Sequence, residues 1–407
     1  MGKSFFEELS SKEVTGVAYK NVNLKKLIIS YFADNGNTTI ADVCKELNLS
    51  IPKVNNLIGD LISEGLVQDY GKVDSSGGRR PSIYGLVADS AFFIGVDVKQ
   101  SHINMGLADF KNTILKVAKS PYTLANNRES LDNLCFLINE FVNGLGISKE
   151  KILGVGVNLS GRINHSTGYS YSFFYFDEQP LTVLIENQIG IPVFLENDSR
   201  AMAYGEFNQG GLSKTNDALF LNLDYGIGMG ILLNGELFYG KSGYAGEFGH
   251  MPVFENEIIC HCGKKGCLET EASGWALVRM FREKIKASSS TLITKQKIKP
   301  DEITMADIIQ AAKDDDVLAI ELIAEIGTKL GKGIALLINL FNPGIIILGG
   351  RLSLTGDYLR LPIKSAMNKY SLSLVSNDTQ LVISKLGEQG GLVGACLLVR
   401  DRVLSLI

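Results

Sequence analysis

The sequence holds little cysteine, no apolar run of membrane length and almost no excess charge of either sign. Six cysteines in 407 residues do not make the disulfide framework that staples small secreted domains. Apolar stretches such as 334–341 and 345–348 fall well short of the ~18–20 residues of a membrane span. The start, MGKSFFEELSSKEV, is too acidic and polar for a signal peptide. Phe6 stands where a myristoylation signal needs Ser or Thr. These absences lead us to expect a cytoplasmic protein with no membrane partner. Forty Lys and Arg against 44 Asp and Glu leave a net charge of −4. That balance neither favours nor excludes nucleic acid, which responds to local patches.

What is present points to an ordinary globular chain. With 45% apolar and 21% charged residues over 407 positions, it is long enough for two or three domains with buried cores. Glycine is in excess, at 43, roughly a tenth against a usual ~7%. Three of the six cysteines fall within 260–267.

Residues 1–20 read as a loose polar tail. From Asn21 a helical period appears: Leu24, Leu27, Ile28, Tyr31 and Phe32 share one face. After Asp34-Asn35-Gly36-Asn37, Thr38 or Thr39 caps a second helix carrying Ile40, Val43, Cys44 and Leu47. Asn48-Leu49 makes a turn. Ser50 then caps a third helix, with Pro52 in its first turn, where the missing N–H costs little. Its apolar face is Val54, Leu57, Ile58, Leu61 and Ile62, and Gly65 ends it. Two short strands flank a Gly/Ser stretch that runs into Arg79-Arg80-Pro81. Three short helices, a tight turn and a hairpin make a winged helix-turn-helix over 21–88. Its last helix offers Lys53, Asn55, Asn56, Gly59 and Asp60 outward. Asn pairs with adenine and Lys with guanine or phosphate. Arg79 and Arg80 on the wing suit backbone or minor-groove contacts with a double-stranded operator. Residues 1–88 hold ten basic and ten acidic side chains. This balance weakens the DNA reading and keeps a protein-contact role open.

From 89 onward strands and helices alternate, the pattern of α/β layering. Phe92–Val98, 103–109, Ile152–Leu159 and Ala218–Leu223 read as strands, and 131–142 as an amphipathic helix. Residues 287–304 read as an exposed polar loop. The segment from Gly249 has the pattern G-H-x9-C-x-C-G-x2-G-C-x-E. His250, Cys260, Cys262 and Cys267 supply one nitrogen and three thiolates, a closed tetrahedral set that suits structural zinc. Gly263 and Gly266 let the chain turn so that the sulfurs converge. The alternative is a loop of free thiols. His261 lies inside the cluster but reads as an exposed loop residue.

This segment resembles the signature of the ROK family (repressors, open reading frames and sugar kinases), with every fixed position present. The likeness runs from about Ala91 to Ile407, and the Gly-Gly-Arg-Arg-Pro wing resembles that of the family's sugar-responsive repressors. The resemblance implies an actin-like/hexokinase (RNase H-like) two-lobed ATPase fold. One lobe would span 89–205 with the C-terminal segment, the other about 206–385. It also implies a sugar site made by Asn197, Asp198, Glu247, His250 and Glu269. Sugar hydroxyls need convergent carboxylates and amides in fixed geometry, and His250 can serve metal and ligand through its two ring nitrogens. Asn197 and Asp198 also suit a plain helix cap.

In the family's kinases the residue matching Asp198 is the general base on the sugar hydroxyl. The phosphate loops here depart from the family pattern. Asp97-Val98-Lys99-Gln100-Ser101 stands for Asp-x-Gly-x-Thr, and Lys99 fills the place of a glycine that lets backbone approach phosphate. In the second turn Asp224 and Tyr225 replace Gly and Thr, and a carboxylate beside a triphosphate is repulsive. ATP is therefore not expected, whereas Lys99 can attract a phosphorylated sugar. Ile345–Gly349 with Gly350 resembles the region near the adenosine site. Gly327, Gly331 and Gly333 read as close helix packing. The expectation is a DNA-binding regulator of carbohydrate genes, working as a homodimer or homotetramer and controlled by a sugar. The alternative is an ATP-dependent sugar kinase fused to a DNA module.

Overall fold

The structure is a computed structural model that describes residues 5–10, 16–72, 81–211, 216–287, 289–295 and 298–406. It divides into two compact units. One comprises 1–159, 167–195 and 395–407, the other 160–166 and 196–394. The second unit thus begins ahead of Asp198, not near 206, and the chain returns to the first unit at 395.

In the first unit, helices Gly16–Asn35, Ile40–Leu47 and Ile51–Ser63 stand beside a three-stranded sheet. Its order is Thr38–Thr39, Ser82–Leu86, Val67–Lys72, the last two forming the wing hairpin. Local chemistry sets the boundaries. Thr39 and Asp42 form a reciprocal capping box. Asn48 closes that helix in the left-handed conformation, φ 51°. Ser50 occupies the N-cap of the third helix without a side-chain cap bond, and Pro52 falls in its first turn.

The first helix differs in phase from the sequence reading. It begins at Gly16, and it buries Val22, Lys25, Ile28, Ile29 and Phe32 while Leu27 is 47% exposed. The apolar stripe is Val22, Ile28, Ile29 and Phe32, and Lys25 beside it is paired, its Nζ reaching Glu64 Oε1 at 2.8 Å and Asp60 Oδ2 at 3.5 Å. Ile62 is likewise exposed. The first residues are not all loose tail. Phe5–Ser10 is a helix, Phe5 is fully buried, and its N–H donates to Glu64 Oε2 at 2.9 Å.

The same unit carries a five-stranded sheet in the order Val193–Asn197, Ile152–Leu159, Phe92–Val98, His102–Asp109, Ile114–Pro121. Phe92–Val98 runs parallel to Ile152–Leu159 and antiparallel to His102–Asp109. All seven of its residues are buried, as a strand covered on both faces requires.

The second unit has its own five-stranded sheet, ordered Glu236–Leu237, Ile227–Leu233, Ala218–Leu223, Ile345–Gly349, Gln380–Ile383. Helix Asp198–Gln209 packs on Ile227–Leu233 so closely that a Cβ on Gly230 would collide with Ala203 Cβ. The long helix Val317–Phe341 packs against Asp357–Tyr370. At Gly331 a Cβ would meet Ile363 O and Ala366 Cβ at 2.6 Å, which bears out the close-packing reading. Among the described residues no helix is long and apolar enough to cross a membrane.

Candidate functional site

His250, Cys260, Cys262 and Cys267 converge, with their ligand atoms all within 4.8 Å of one another. His250 Nδ1 lies 3.5 Å from Cys260 Sγ, and Cys262 Sγ lies 3.6 Å from Cys267 Sγ. Sulfurs at ~2.3 Å from a tetrahedral ion stand about 3.8 Å apart, so the donor set fits zinc. Local turns bring them together. Cys260 N–H donates to Lys264 O at 2.8 Å, and Gly263 N–H to Cys260 O at 2.8 Å. Gly266 has φ +76°, and Phe254 O stands where a Cβ would need to go, so a larger residue is barred there.

Burial pushes the Cys260 thiol up to about 12 and raises Cys267 as well. At Cys262 burial acts in the same direction, but the N–H of Lys264 and the neighbouring thiols outweigh it and hold that thiol below its usual range. Buried thiols of this kind become thiolates when a cation supplies the opposing charge. His261 is 65% exposed at its side chain and leans on Trp275, ring centroids 4.9 Å apart. It stands apart from the convergent set.

The residues expected to hold sugar form two groups on one sheet. Glu247 Oε2 lies 3.7 Å from His250 Nε2. The His250 ring therefore faces the sulfur cluster with Nδ1 and Glu247 with Nε2. Glu269 is buried, its Oε2 accepts the N–H of Ile227 at 3.0 Å, and its Oε1 lies 3.9 Å from Cys260 Sγ. The second group opens helix Asp198–Gln209. Asn197 caps it, accepting from Ser199 N at 3.0 Å and Arg200 N at 3.1 Å while donating to Gly161 O at 2.9 Å. Asp198 is half-buried and accepts the Ser199 N–H at 2.8 Å. The cap reading is thus realised at Asn197. Both groups adjoin strand Ile227–Leu233: Ser199 packs on Gly228 and Glu269 on Gly226.

The sequence reading missed three side chains that hold this arrangement. Arg200 and Glu196 are almost fully buried and joined at 2.6 Å, and Tyr239 donates to Glu196 Oε2 at 3.0 Å. Glu196 lies in strand Val193–Asn197 and Arg200 in helix Asp198–Gln209, so no helical spacing marked the pair in the sequence.

The altered phosphate turns are engaged internally. Asp224 takes a two-pronged bond from Arg351, Nε to Oδ1 at 3.0 Å and to Oδ2 at 2.9 Å. That bond closes the turn onto the residue after Gly349-Gly350, and it raises the Arg351 pKa further. Lys99 Nζ lies 3.1 Å from the buried Asp97. Beside Tyr225 and Arg351, a cavity of about 670 Å³ is lined by Trp275, Arg279, Arg282 and Met305; no sequence motif marked it.

On the recognition helix, Asn55 and Asn56 are exposed. Lys53 is half-buried and donates to Asn21 Oδ1 at 2.6 Å. Arg79 and Arg80 lie outside the described residues.

Comparison with known proteins decides the family. The ROK family profile matches residues 93–402, and a winged helix-turn-helix DNA-binding profile matches 23–68. The chain belongs to the ROK family. It is 30% identical over 390 residues to a xylose repressor of Caldicellulosiruptor bescii, covering 95% of this chain and 97% of that one. A crystal structure of a ROK family transcriptional regulator, a homologue of the E. coli MLC protein, superposes with a TM-score of 0.81 at 26% identity over 95% of this chain and 96% of that one. A ROK family glucokinase from Streptomyces griseus, in complex with glucose and AMPPNP, superposes with a TM-score of 0.68 at 29% identity. It covers 76% of this chain and 100% of its own. The chain therefore has the architecture of the sugar-responsive ROK repressors, a winged helix ahead of the two-lobed actin-like fold.

Proposed function

We propose that this ROK protein represses carbohydrate genes by binding a DNA operator through its winged helix, and that a free or phosphorylated aldose relieves it. The observation that carries the reading is one chain holding both a DNA-binding module and an intact loop of one histidine and three cysteines beside Glu247 and Glu269, with its phosphate turn bonded to Arg351. Relatives named for xylose put pentoses first and hexoses next.

The proposed effector contacts are Asn197, Asp198, Glu247, His250 and Glu269. Zinc held by His250 Nδ1, Cys260, Cys262 and Cys267 would be structural, fixing the loop and leaving His250 Nε2 for Glu247 or a hydroxyl. Asn55 and Asn56 would read bases, with Lys53, Arg79 and Arg80 on the backbone. A cytoplasmic homodimer, or a tetramer of such dimers, would present two recognition helices to a palindromic site. A thermal-shift screen of pentoses, hexoses and their phosphates tests the effector. A rise in Tm with an aldose supports the reading, and none across the set opposes it.

A second reading has a specific observation behind it. Asp198, which the family resemblance matches to the kinase base, opens helix Asp198–Gln209, and a glucokinase superposes over 76% of the chain. Sugar-dependent ADP release separates the two. We expect none above that of an Asp198→Asn variant, because Asp224 and Arg351 occupy each other across the turn that resembles the family's second phosphate loop.

A further inference from the structure

We propose that Arg200 is a positioning residue of the effector site, forking one buried guanidinium to three chain segments so that both groups of sugar contacts keep a common frame. The proposal rests on the sugar reading above and adds a residue to it. Arg200 Nε donates to Glu196 Oε1 at 2.6 Å, Nη1 to Gly243 O at 2.7 Å and Nη2 to Ile163 O at 3.1 Å. Glu196 is the residue before the Asn197-Asp198 pair, and its Oε1 also accepts the Asn197 N–H at 2.7 Å. Gly243 lies in the segment that leads to Glu247 and His250. Ile163 lies in 160–166, the short stretch to which Asn197 donates at Gly161 O.

Tyr239 and His165 back the frame. Glu196 Oε2 accepts from Tyr239 at 3.0 Å, His165 stacks on the Tyr239 ring at 3.8 Å, and the Arg200 guanidinium lies 5.4 Å from the same ring. Arg200 is 4% exposed and Glu196 2%. Neither is placed to meet solvent, and each is neutralised by the other. A planar guanidinium can satisfy three fixed acceptors at once, whereas a lysine ammonium on a flexible stem meets them as a point charge. An apolar residue would leave Glu196 buried without its cation. Arg200 thus fixes the spacing between a carboxamide–carboxylate pair on a helix start and a carboxylate–imidazole pair on a loop, and that spacing selects which hydroxyls of a sugar are met together.

The test uses the full-length zinc-loaded protein with D-xylose and D-glucose as probes, titrated calorimetrically. We expect Arg200→Lys to weaken binding about tenfold and to change the ratio of the two affinities, with stoichiometric zinc and operator binding within twofold of wild type in the absence of sugar. The ratio is the deciding readout. Partial unfolding lowers both affinities alike and leaves it fixed, as a merely structural role predicts. Tyr239→Phe, which removes one hydrogen bond, decides the matter if Arg200→Lys does not fold. A wild-type protein that binds a sugar, with variants whose affinities and ratio are unchanged, overturns this inference alone. A wild-type protein that binds neither sugar overturns the effector reading and this inference with it.

Discussion

Replacing Cys262 with serine isolates the role of the metal loop. Cys262 is exposed, so the substitution itself removes almost no packing. Its Sγ lies 3.6 Å from Cys267 Sγ, and losing it takes one thiolate from a four-ligand set. The three remaining donors include two buried thiols, one raised to about 12, which give up protons only when a cation is held. Without it the loop between His250 and Cys267 keeps the bridges Pro252 to Cys267 and Ile259 to Lys265, the Asn256 bonds to Thr270 and Glu271, and the packing of Met251, Val253 and Phe254 on the core. A cross-link closing a loop of roughly 15 residues contributes about 3 kcal/mol. Releasing it lowers the ordered-to-disordered ratio of the Glu247 and His250 segment by at most roughly a hundredfold, since 1.4 kcal/mol is a factor of ten. We therefore expect the variant to lose zinc on dialysis, measured by elemental analysis, and to bind sugar up to about a hundredfold more weakly. Cys44→Ser, in the DNA-binding module, is the control. Full zinc content with wild-type sugar affinity in the Cys262 variant would refute the assignment.

Two further outcomes follow from the same geometry. Asn55→Ala and Asn56→Ala should each relax operator specificity by about 1–3 kcal/mol if bidentate to adenine, read by competition binding against point-mutated sites; uniform discrimination in both variants would remove them from base readout. Cys135 and Cys396 are raised to about 12 by burial, so at pH 8 they should resist alkylation in the native protein, while Cys262, exposed and held below its usual range, reacts once a chelator is added. Rapid labelling of Cys396 in native protein, scored by mass spectrometry, would contradict its burial.

What the sequence made legible was local. The capping box at Thr39 and the left-handed Asn48 follow from residues within four positions of each other. The convergence of His250, Cys260, Cys262 and Cys267 follows from spacing within one loop. What stayed hidden depends on partners far along the chain. Lys25 is buried in helix Gly16–Asn35 because it pairs with Glu64 and Asp60, which lie some 35 or more positions along the chain. Asp224 looked like a repulsive carboxylate, but its cation, Arg351, is 127 positions away. The Arg200 fork ends on backbone carbonyls of Ile163 and Gly243, and a carbonyl carries no residue signature.

The most direct test of the whole account is operator affinity as a function of sugar. Fluorescence anisotropy with a labelled duplex from the promoter of a neighbouring carbohydrate operon, at fixed salt, gives Kd with and without each aldose. The account predicts specific binding that one aldose weakens at least tenfold, and that weakening should be lost in the Cys262→Ser protein. Operator affinity unchanged by every pentose, hexose and sugar phosphate would contradict it.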